Sequence, residues 1–510
     1  MARGDQKANR VSKVLVANRG EIAVRVIRAC REMGIPTVAV FSDADRTALH
    51  VQKADEAVFI GAPPPRESYL NVDRIVAAAR ATGADAIHPG YGFLAESPAF
   101  AARVEEEGMV FIGPPPDVIR RMGSKIASRA AMREAGVPIV PGSERGSNDP
   151  EAVRAEAERV GLPVFVKASA GGGGHGLRLV RERGELDAAI RHAIGEAGAA
   201  FGDDTVYVER QIERPRHIEF QVLADGNGHT VHLFERECSI QRRHQKVLEE
   251  TPSSALTPVL RARMGEAAVA AARAVGYVGA GTVEFMLDAE QRFYFLETNT
   301  RIQVEHPITE LTTGIDLVQW QIRIARGEAL AFAQDAIHQH GHAIECRVYA
   351  EDETRHFMPS CGVISYLYEP SGPGIRNDSG IYEGWEVSAH YDPILSKLVA
   401  YGENREQARA RMLRALDEYV IHGVQTSIDL HKRILRHPEF VAGKLDTGFV
   451  ERHADILLTP ESHPVPDEAF IAGLLYARTG APAAVTPAPG ARSATSVWQR
   501  LGPWRVGGER

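Results

Sequence analysis

The chain is poor in the features that mark several protein classes. Only four cysteines occur in 510 residues (Cys30, Cys238, Cys346 and Cys361), scattered and without a CxxC pair. A disulfide framework is thereby excluded, and a reducing cytoplasm fits. No stretch of eighteen apolar residues is present, which argues against a membrane-spanning helix. The first ten residues, MARGDQKANR, are polar and hold no secretory apolar core. There is no basic tract and the net charge is −8, which argues against nucleic acid as a partner. Nucleotide signatures are missing too: no GxGxxG follows the first strand, no GK[ST] closes a Walker A loop, and HRD and DFG are absent. The expectation is a soluble, cytoplasmic protein of roughly three or four domains.

What is present is an ordered alternation of elements. KVLVAN reads as a buried strand, and GEIAVRVIRACREMG carries Ile22, Val26 and Cys30, with Ala23 and Ile27, at helical spacing. PTVAVFS and ADAIHPGYGFL continue the pattern, so residues 11–116 predict an α/β unit with a parallel sheet. Residues 117–139 read as charged helix. A small module over 140–212 holds a helix, DPEAVRAEAERVG, and a glycine-loop hairpin closing at TVYVERQI. A larger mixed α+β region follows over 213–452. The last part, 453–510, contains the Ala/Pro/Ser-rich RTGAPAAVTPAPGARSATS and reads as linker or tail.

Three stretches carry chemistry. The first, KASAGGGGHGLRLV, joins two strand-like pieces by a glycine run, a costly arrangement unless backbone must approach something closely. It reads either as a loose surface turn or as a hairpin flap whose N–H groups meet phosphate oxygens. Lys167 on the entering strand is placed to reach phosphate as a point charge. The second, YFLETNTRIQVEHP, in extended conformation puts Glu297, Asn299, Arg301, Gln303 and Glu305 on one face. The preceding apolar GTVEFMLD brings Glu284 back across a short turn towards Glu297 and Asn299. Such hard oxygens suit Mg²⁺ held on substrate phosphates better than a solvated edge, because carboxylates paired without a cation repel. The third, ERECSIQRRHQKVLEE, packs Arg242, Arg243, His244 and Lys246 among acids. It is either a solvated face or a site for a small oxyanion such as bicarbonate.

Taken together, ANRGEIAVRVIRAC, HPGYGFLAE, MGSKIASRAAMREAGVP, KASAGGGGHGLR, QRRHQKVLEE, ETNTRIQVEHPITE and GHAIECRVYAED resemble the biotin carboxylase component of biotin-dependent carboxylases, an ATP-grasp fold. The resemblance runs colinearly from about Val11 to Arg452. It implies an N-terminal α/β domain (11–116), a helical linker (117–139), an ATP-grasp B-domain lid (140–212), and an ATP-grasp core with the C-terminal domain (213–452). It implies a ligase that uses ATP and bicarbonate to form carboxyphosphate and ADP, then carboxylates biotin. By the same resemblance Lys125, Lys167, Gly173 and Gly174 hold ATP phosphates. Glu209, Arg210, Gln211 and Ile212 meet the adenine, aided by His217 and His244. Glu284, Glu297 and Asn299 bind Mg²⁺ (or Mn²⁺). Lys246, Arg301, Gln303 and the Val304 backbone hold bicarbonate. Glu305, flanked by Arg301, is the general base, and Arg347 with Tyr91 meets biotin.

The implied partners are a biotin carboxyl carrier protein or domain, a carboxyltransferase subunit and a second copy of the chain. Arg28, Glu32 and Arg376 match positions at the family's dimer interface, or are surface charges. Cys238 reads as a small buried residue, and His88 and His306 as packed histidines. His175 stands in the flap where the family has arginine or lysine, and Ala170 where a glycine often begins the run. No Ala/Val-Met-Lys-Met tetrapeptide for biotin attachment occurs, so biotin is expected as a substrate on a carrier. The tail SVWQRLGPWRVGGER is either a variable end or the start of a bridging segment of acyl-CoA carboxylase α-chains. The expected role is the first half-reaction of an acetyl- or acyl-CoA carboxylase, in fatty acid biosynthesis among others. Alternatives are a pyruvate or urea carboxylase, another ATP-grasp ligase forming carbamoyl or acyl phosphate, and an inactive nucleotide-binding scaffold.

Overall fold

The computed structural model describes residues 11–169 and 177–459, with Ile471 and Leu474. The chain divides into two units, 1–459 and 460–510. The glycine loop from 170 to 176, including Gly173, Gly174 and His175, lies outside the described residues, as does nearly all of the tail.

Strands β1 (Val14–Val16), β2 (Thr37–Ser42), β3 (Glu56–Gly61), β4 (Ala86–His88) and β5 (Val110–Phe111) form a parallel sheet in the order β3-β2-β1-β4-β5. Its strands alternate between two apolar cores. Val14 and Val16 face helix α1 (Gly20–Glu32) through Ile22, Ala23, Val26, Ile27 and Cys30. Leu15 points the other way, to Val38, Val40, Ile75 and Phe100. A parallel sheet covered on both faces requires such unbroken apolar strands.

Two helices, Pro116–Gly123 and Lys125–Glu134, meet at Ser124, whose side chain accepts from the Ala127 N–H and caps the second. Then comes a small three-stranded antiparallel sheet of β6 (Val164–Ala168), β7 (Leu177–Val180) and β8 (Val206–Arg210), in the order β7-β6-β8. Val164 pairs with Val180 and Lys167 with Leu177, so the expected hairpin register is present on both sides of the glycine run. Helices Pro150–Val160 and Leu186–Phe201 cover it around Val153, Ala157, Val166, Ile190 and Val208.

An eight-stranded antiparallel sheet dominates the rest. It uses β9 (Arg216–Ala224), β10 (Thr230–Arg242), β11 (Gln245–Thr251), β12 (Gly279–Leu287), β13 (Phe293–Asn299) and β14 (His342–Tyr349), plus strands Ile375–Ser379 and Ile394–Gly402. The order is β13-β12-β9-β10-β11-β14, then Ile394–Gly402, then Ile375–Ser379. Strand β9 shows the principle: Ile218, Phe220, Val222 and Ala224 enter an apolar core, while His217, Glu219 and Gln221 take the other face. Both faces are buried. This sheet keeps charge inside.

One expectation is corrected here. The alternation read through residue 305 stops at Asn299, where β13 ends. Residues 300–305 turn, and helix His306–Thr313 starts with Pro307 in its first turn. Proline is tolerated there because the first N–H groups of a helix have no intrahelical partner. Among the described residues no helix is long and apolar enough to cross a membrane.

Candidate active site

A cavity of about 700 Å³ opens between the small sheet and the charged face of the large one. Of the residues assigned from the sequence, Lys125, Lys167, Glu209, Arg210, Gln211, Ile212, His217, His244, Lys246, Glu284, Glu297, Asn299, Arg301, Gln303, Val304, Glu305 and Arg347 all line it. Tyr91 does not. Its hydroxyl donates to Glu21 of α1 instead.

On the small-sheet side, Lys167 Nζ donates to Glu209 Oε2 at 2.5 Å, and Arg129 donates to the other carboxylate oxygen. Burial pushes the Glu209 pKa up, but Lys167 and Arg129 outweigh it and hold the group ionised. Its carboxylate is therefore engaged by cations. Burial depresses the Lys125 pKa, with Glu297 pulling against it and Lys167 adding to it. Two cations side by side suit an incoming polyanion.

On the large-sheet side, Glu284 of β12 stands directly opposite Glu297 of β13. Glu284 Oε1 accepts from Asn299 at 2.8 Å, Gln303 at 2.7 Å and Lys246 at 2.8 Å, and Oε2 lies 2.9 Å from His217 Nε2. Burial and then Glu284 push the Glu297 pKa up, although its side chain reaches into the open cavity. Against its burial, Glu284 is held ionised by Lys246 and His217, and with Glu297 and Asn299 it offers the hard oxygens that a divalent cation takes.

The hairpin β10–β11 delivers the next group. Arg243 and His244 form its two-residue turn with φ of 50° and 66°, the left-handed values such a turn demands. Lys246 beyond it donates to Glu219 at 2.5 Å, Glu284 at 2.8 Å and Glu305 at 2.7 Å. The run ERECSIQRRHQKVLEE is thus mostly buried strand, with Arg243 and His244 exposed at its turn.

Glu305, the last residue before its helix, is 1% exposed and clamped between Lys246 and Arg347, whose Nη2 lies 2.9 Å from Oε2. Burial raises its pKa, but Lys246, Arg347 and Arg236 together hold it well below the ordinary 4.5. Arg301 lines the same cavity as Glu305 and donates to Glu96 at 3.1 Å and to Asn299 Oδ1 at 2.9 Å.

Several residues lay outside the sequence reading. Arg236, fully buried, donates to Glu219, Gln221, Thr309, Thr282 and Gln303 and so ties β9, β10 and β12 to the turn at 300–305 and the helix after it. Glu249 holds Arg347 from β11 at 2.6 Å. The Glu-x-Gln alternation in RHIEFQVLAD was the available signal for a polar inner face at Glu219 and Gln221. Cys238 is buried with its thiol pKa far above the ordinary value, first by burial and then by Glu219, which keeps it a thiol. His88 and His306 are buried, His88 with its pKa lowered to about 4 by burial. Arg376 pairs inside the chain with Glu310 and Asp378, both at 2.7 Å, while Arg28 is exposed on α1.

The family of the chain follows from its relatives. Sequence models described as "Biotin carboxylase, N-terminal domain", "Carbamoyl-phosphate synthase L chain, ATP binding domain" and "Biotin carboxylase C-terminal domain" match residues 10–119, 124–333 and 345–452. Biotin carboxylase 1 of Bacillus subtilis is 53% identical over 444 residues, 87% of this chain and 99% of that protein. The alpha subunit of mitochondrial methylcrotonoyl-CoA carboxylase from Dictyostelium discoideum is 46% identical over 503 residues, 98% of this chain and 71% of that one. The solved biotin carboxylase domain dimer of Hydrogenobacter thermophilus 2-oxoglutarate carboxylase, in complex with MgADP, ADP and bicarbonate, superposes with a TM-score of 0.85 at 49% identity, covering 88% of this chain and 99% of that one. The chain belongs to the biotin carboxylase family of ATP-dependent ligases, with the N-terminal, ATP-grasp and C-terminal domains of that family.

Proposed function

We propose that this protein carboxylates biotin held on a separate carrier protein or domain, using ATP and bicarbonate, as the first half-reaction of an acyl-CoA carboxylase. The observation that carries the chemistry is Glu305, an ionised carboxylate fixed between Lys246 and Arg347 at the floor of the cavity. Its roles follow from charge. Lys125 and Lys167 take the phosphate oxygens of ATP, and residues 209–212 with His217 and His244 flank the adenine. Glu284, Glu297 and Asn299 hold Mg²⁺, which supplies the cation that phosphoryl transfer needs on its spreading oxygen charge. Lys246, Arg301, Gln303 and the Val304 amide orient bicarbonate, and Glu305 removes its proton for attack on the γ-phosphorus. Carboxyphosphate and ADP result. Carboxyphosphate then breaks its bridging C–O bond to give CO₂ and phosphate, and the phosphate takes the ureido N–H proton of biotin. Arg347, facing the ureido oxygen, stabilises the enolate whose nitrogen takes up CO₂. Tyr91 joins the biotin side only if it leaves Glu21.

Residues 11–116, 117–139, 140–212 and 213–452 serve as N-terminal domain, linker, lid, and core with C-terminal domain, and a homodimer fits the neighbouring dimeric structure. The acyl-CoA assignment is supported by the extent of similarity to a methylcrotonoyl-CoA carboxylase alpha subunit, which covers 98% of this chain, and by the Trp-x-x-x-Gly-Pro-Trp pattern at 498–504. The 2-oxoglutarate relative supports oxo acids as the competing acceptor class. One assay decides between the reaction types: ADP release should require bicarbonate and rise steeply with biotinylated carrier, less with free biotin, which lacks a tether's effective concentration. ADP release driven by an amine acceptor without biotin would favour another ATP-grasp ligase. Coupling to a carboxyltransferase with methylcrotonoyl-, propionyl- and acetyl-CoA, pyruvate and 2-oxoglutarate names the acceptor.

A further inference from the structure

The proposed chemistry leaves one buried acid without a task. Glu345 lies mid-strand in β14 with no exposure, and neither of its carboxyl oxygens has a hydrogen-bond partner. Directly across from it on β11 is Glu249, equally buried. Glu249 Oε1 accepts from Arg347 Nε at 2.6 Å, but Oε2 is also unpartnered. Side chains opposed across antiparallel strands have Cβ atoms roughly 4.5–5.5 Å apart. Two buried carboxylates opposed in this way disfavour joint ionisation, and each still has an oxygen with no protein donor.

The cations nearby do not remove the conflict. Arg347 is committed to Glu249 and Glu305. Lys397, opposite Arg347 on strand Ile394–Gly402, lies 3.1 Å from Glu21 and 4.0 Å from Asp378. On the helix packed over β14, His306 bonds the Gln303 carbonyl, and Glu310 is held by Arg25 and Arg376. Glu305 adds a further negative charge.

We infer that Glu345 is a neutral carboxylic acid that donates its proton to the free oxygen of Glu249, fixing Glu249 as the acceptor that aims Arg347 at the site. Burial first, and Glu249 second, raise the Glu345 pKa well above 4.5, while Glu249, likewise pushed up by burial but pulled back by Arg347, stops at about 7. Because the Arg347 guanidinium donates to Glu249 and no donor reaches Glu345, the proton belongs on Glu345. Glu345 is a positioning residue, acting through Glu249 and Arg347. The consequence for turnover rests on the reading that Arg347 meets biotin; the shared proton does not.

Infrared difference spectra of the whole protein at neutral pH, wild type minus Glu345→Gln, test the proton without substrate. The expected result is loss of a protonated carboxyl C=O band that shifts in D₂O. Loss of carboxylate bands alone would overturn the proposal. In carrier carboxylation, Glu345→Leu leaves Glu249 Oε2 without a donor, and kcat should fall about 10–100-fold with the KM for ATP unmoved. Glu345→Gln, whose amide can donate in place of the acid, should restore most of that loss. Equal damage in both variants would show that an anion is needed and would overturn the proposal, and the infrared result stands even if the leucine variant does not fold. A protonated band together with unaltered carboxylation in every variant would overturn the link to Arg347. Absence of biotin-dependent turnover in the wild type would instead contradict the functional reading.

Discussion

The two main sheets bury their strands almost equally and fill them with opposite chemistry. In the five-stranded parallel sheet, Val14, Leu15, Val16, Val38 and Val40 are buried among other apolar groups. In the eight-stranded sheet, Glu219, Arg236, Glu249, Glu345 and Lys397 are just as deep. Apolar burial gives about 25 cal/mol per Å² and asks for no partner, whereas a buried charge is costly unless paired and hydrogen-bonded. One sheet is a support. The other maintains a set of mutually paired charges whose arrangement suits a charged substrate.

That contrast can be broken by exchanging what each sheet loses. The largest effect is expected at Glu305. Glu305→Gln keeps the shape and removes the base, so bicarbonate-dependent turnover should fall about 10²–10⁴-fold with ATP affinity little changed, read from steady-state kinetics. Turnover near that of wild type would sever the charged sheet from the chemistry.

Lys246→Met comes next, because it leaves Glu219, Glu284 and Glu305 facing one another without their shared cation. Removing one partner of a buried charge set costs about 3–5 kcal/mol. Denaturant titration should show that loss together with collapse of bicarbonate-dependent activity. Added Mg²⁺ should recover part of the stability by screening Glu284.

In the apolar sheet, Leu15→Ala should cost about 2–5 kcal/mol by leaving a cavity. The surviving folded protein should keep wild-type KM values. Losses of stability and activity coincide in one sheet and separate in the other.

The smallest effect concerns pH. Burial, opposed by Lys397, pushes the Glu21 pKa from 4.5 up to about 7. Its folded pKa exceeds its unfolded one, so its contribution to stability is full below pH 4.5 and is lost as pH rises through 7. Thermal melts across that window should show a slope that Glu21→Gln flattens. Carboxyls held low, such as Glu305 and Asp378, act in the opposite sense: their stabilisation is present above the unfolded values and fades as pH falls through the folded ones. An unchanged slope in the variant would place the titration elsewhere.

The two sheets also differ in how far the sequence discloses them. The parallel sheet was legible because apolar strands and an amphipathic α1 repeat at fixed periods. The acid pair Glu284–Glu297 was legible because a short turn between two strands sets the register. Beyond Asn299 strict alternation no longer describes the backbone, since it ignores the helix start that His306-Pro307 announces. Arg236, Glu249 and Glu345 were hidden for another reason. A charged residue in a strand looks the same on a solvated face as inside, and only the pairing of β11 with β14 reveals which. Tyr91 was carried over from the resemblance, and packing against α1 gave its hydroxyl to Glu21.

The central claim is that the charged face activates bicarbonate for attack on the γ-phosphorus of ATP. Bicarbonate labelled with ¹⁸O tests it most directly, by mass analysis of the phosphate released during biotin-dependent turnover. If a bicarbonate oxygen becomes the bridge of carboxyphosphate, the released phosphate carries one labelled oxygen, and Glu305→Gln lowers the rate at which it appears. Unlabelled phosphate, formed at the same rate as ADP, would mean that water is the nucleophile and would contradict the account.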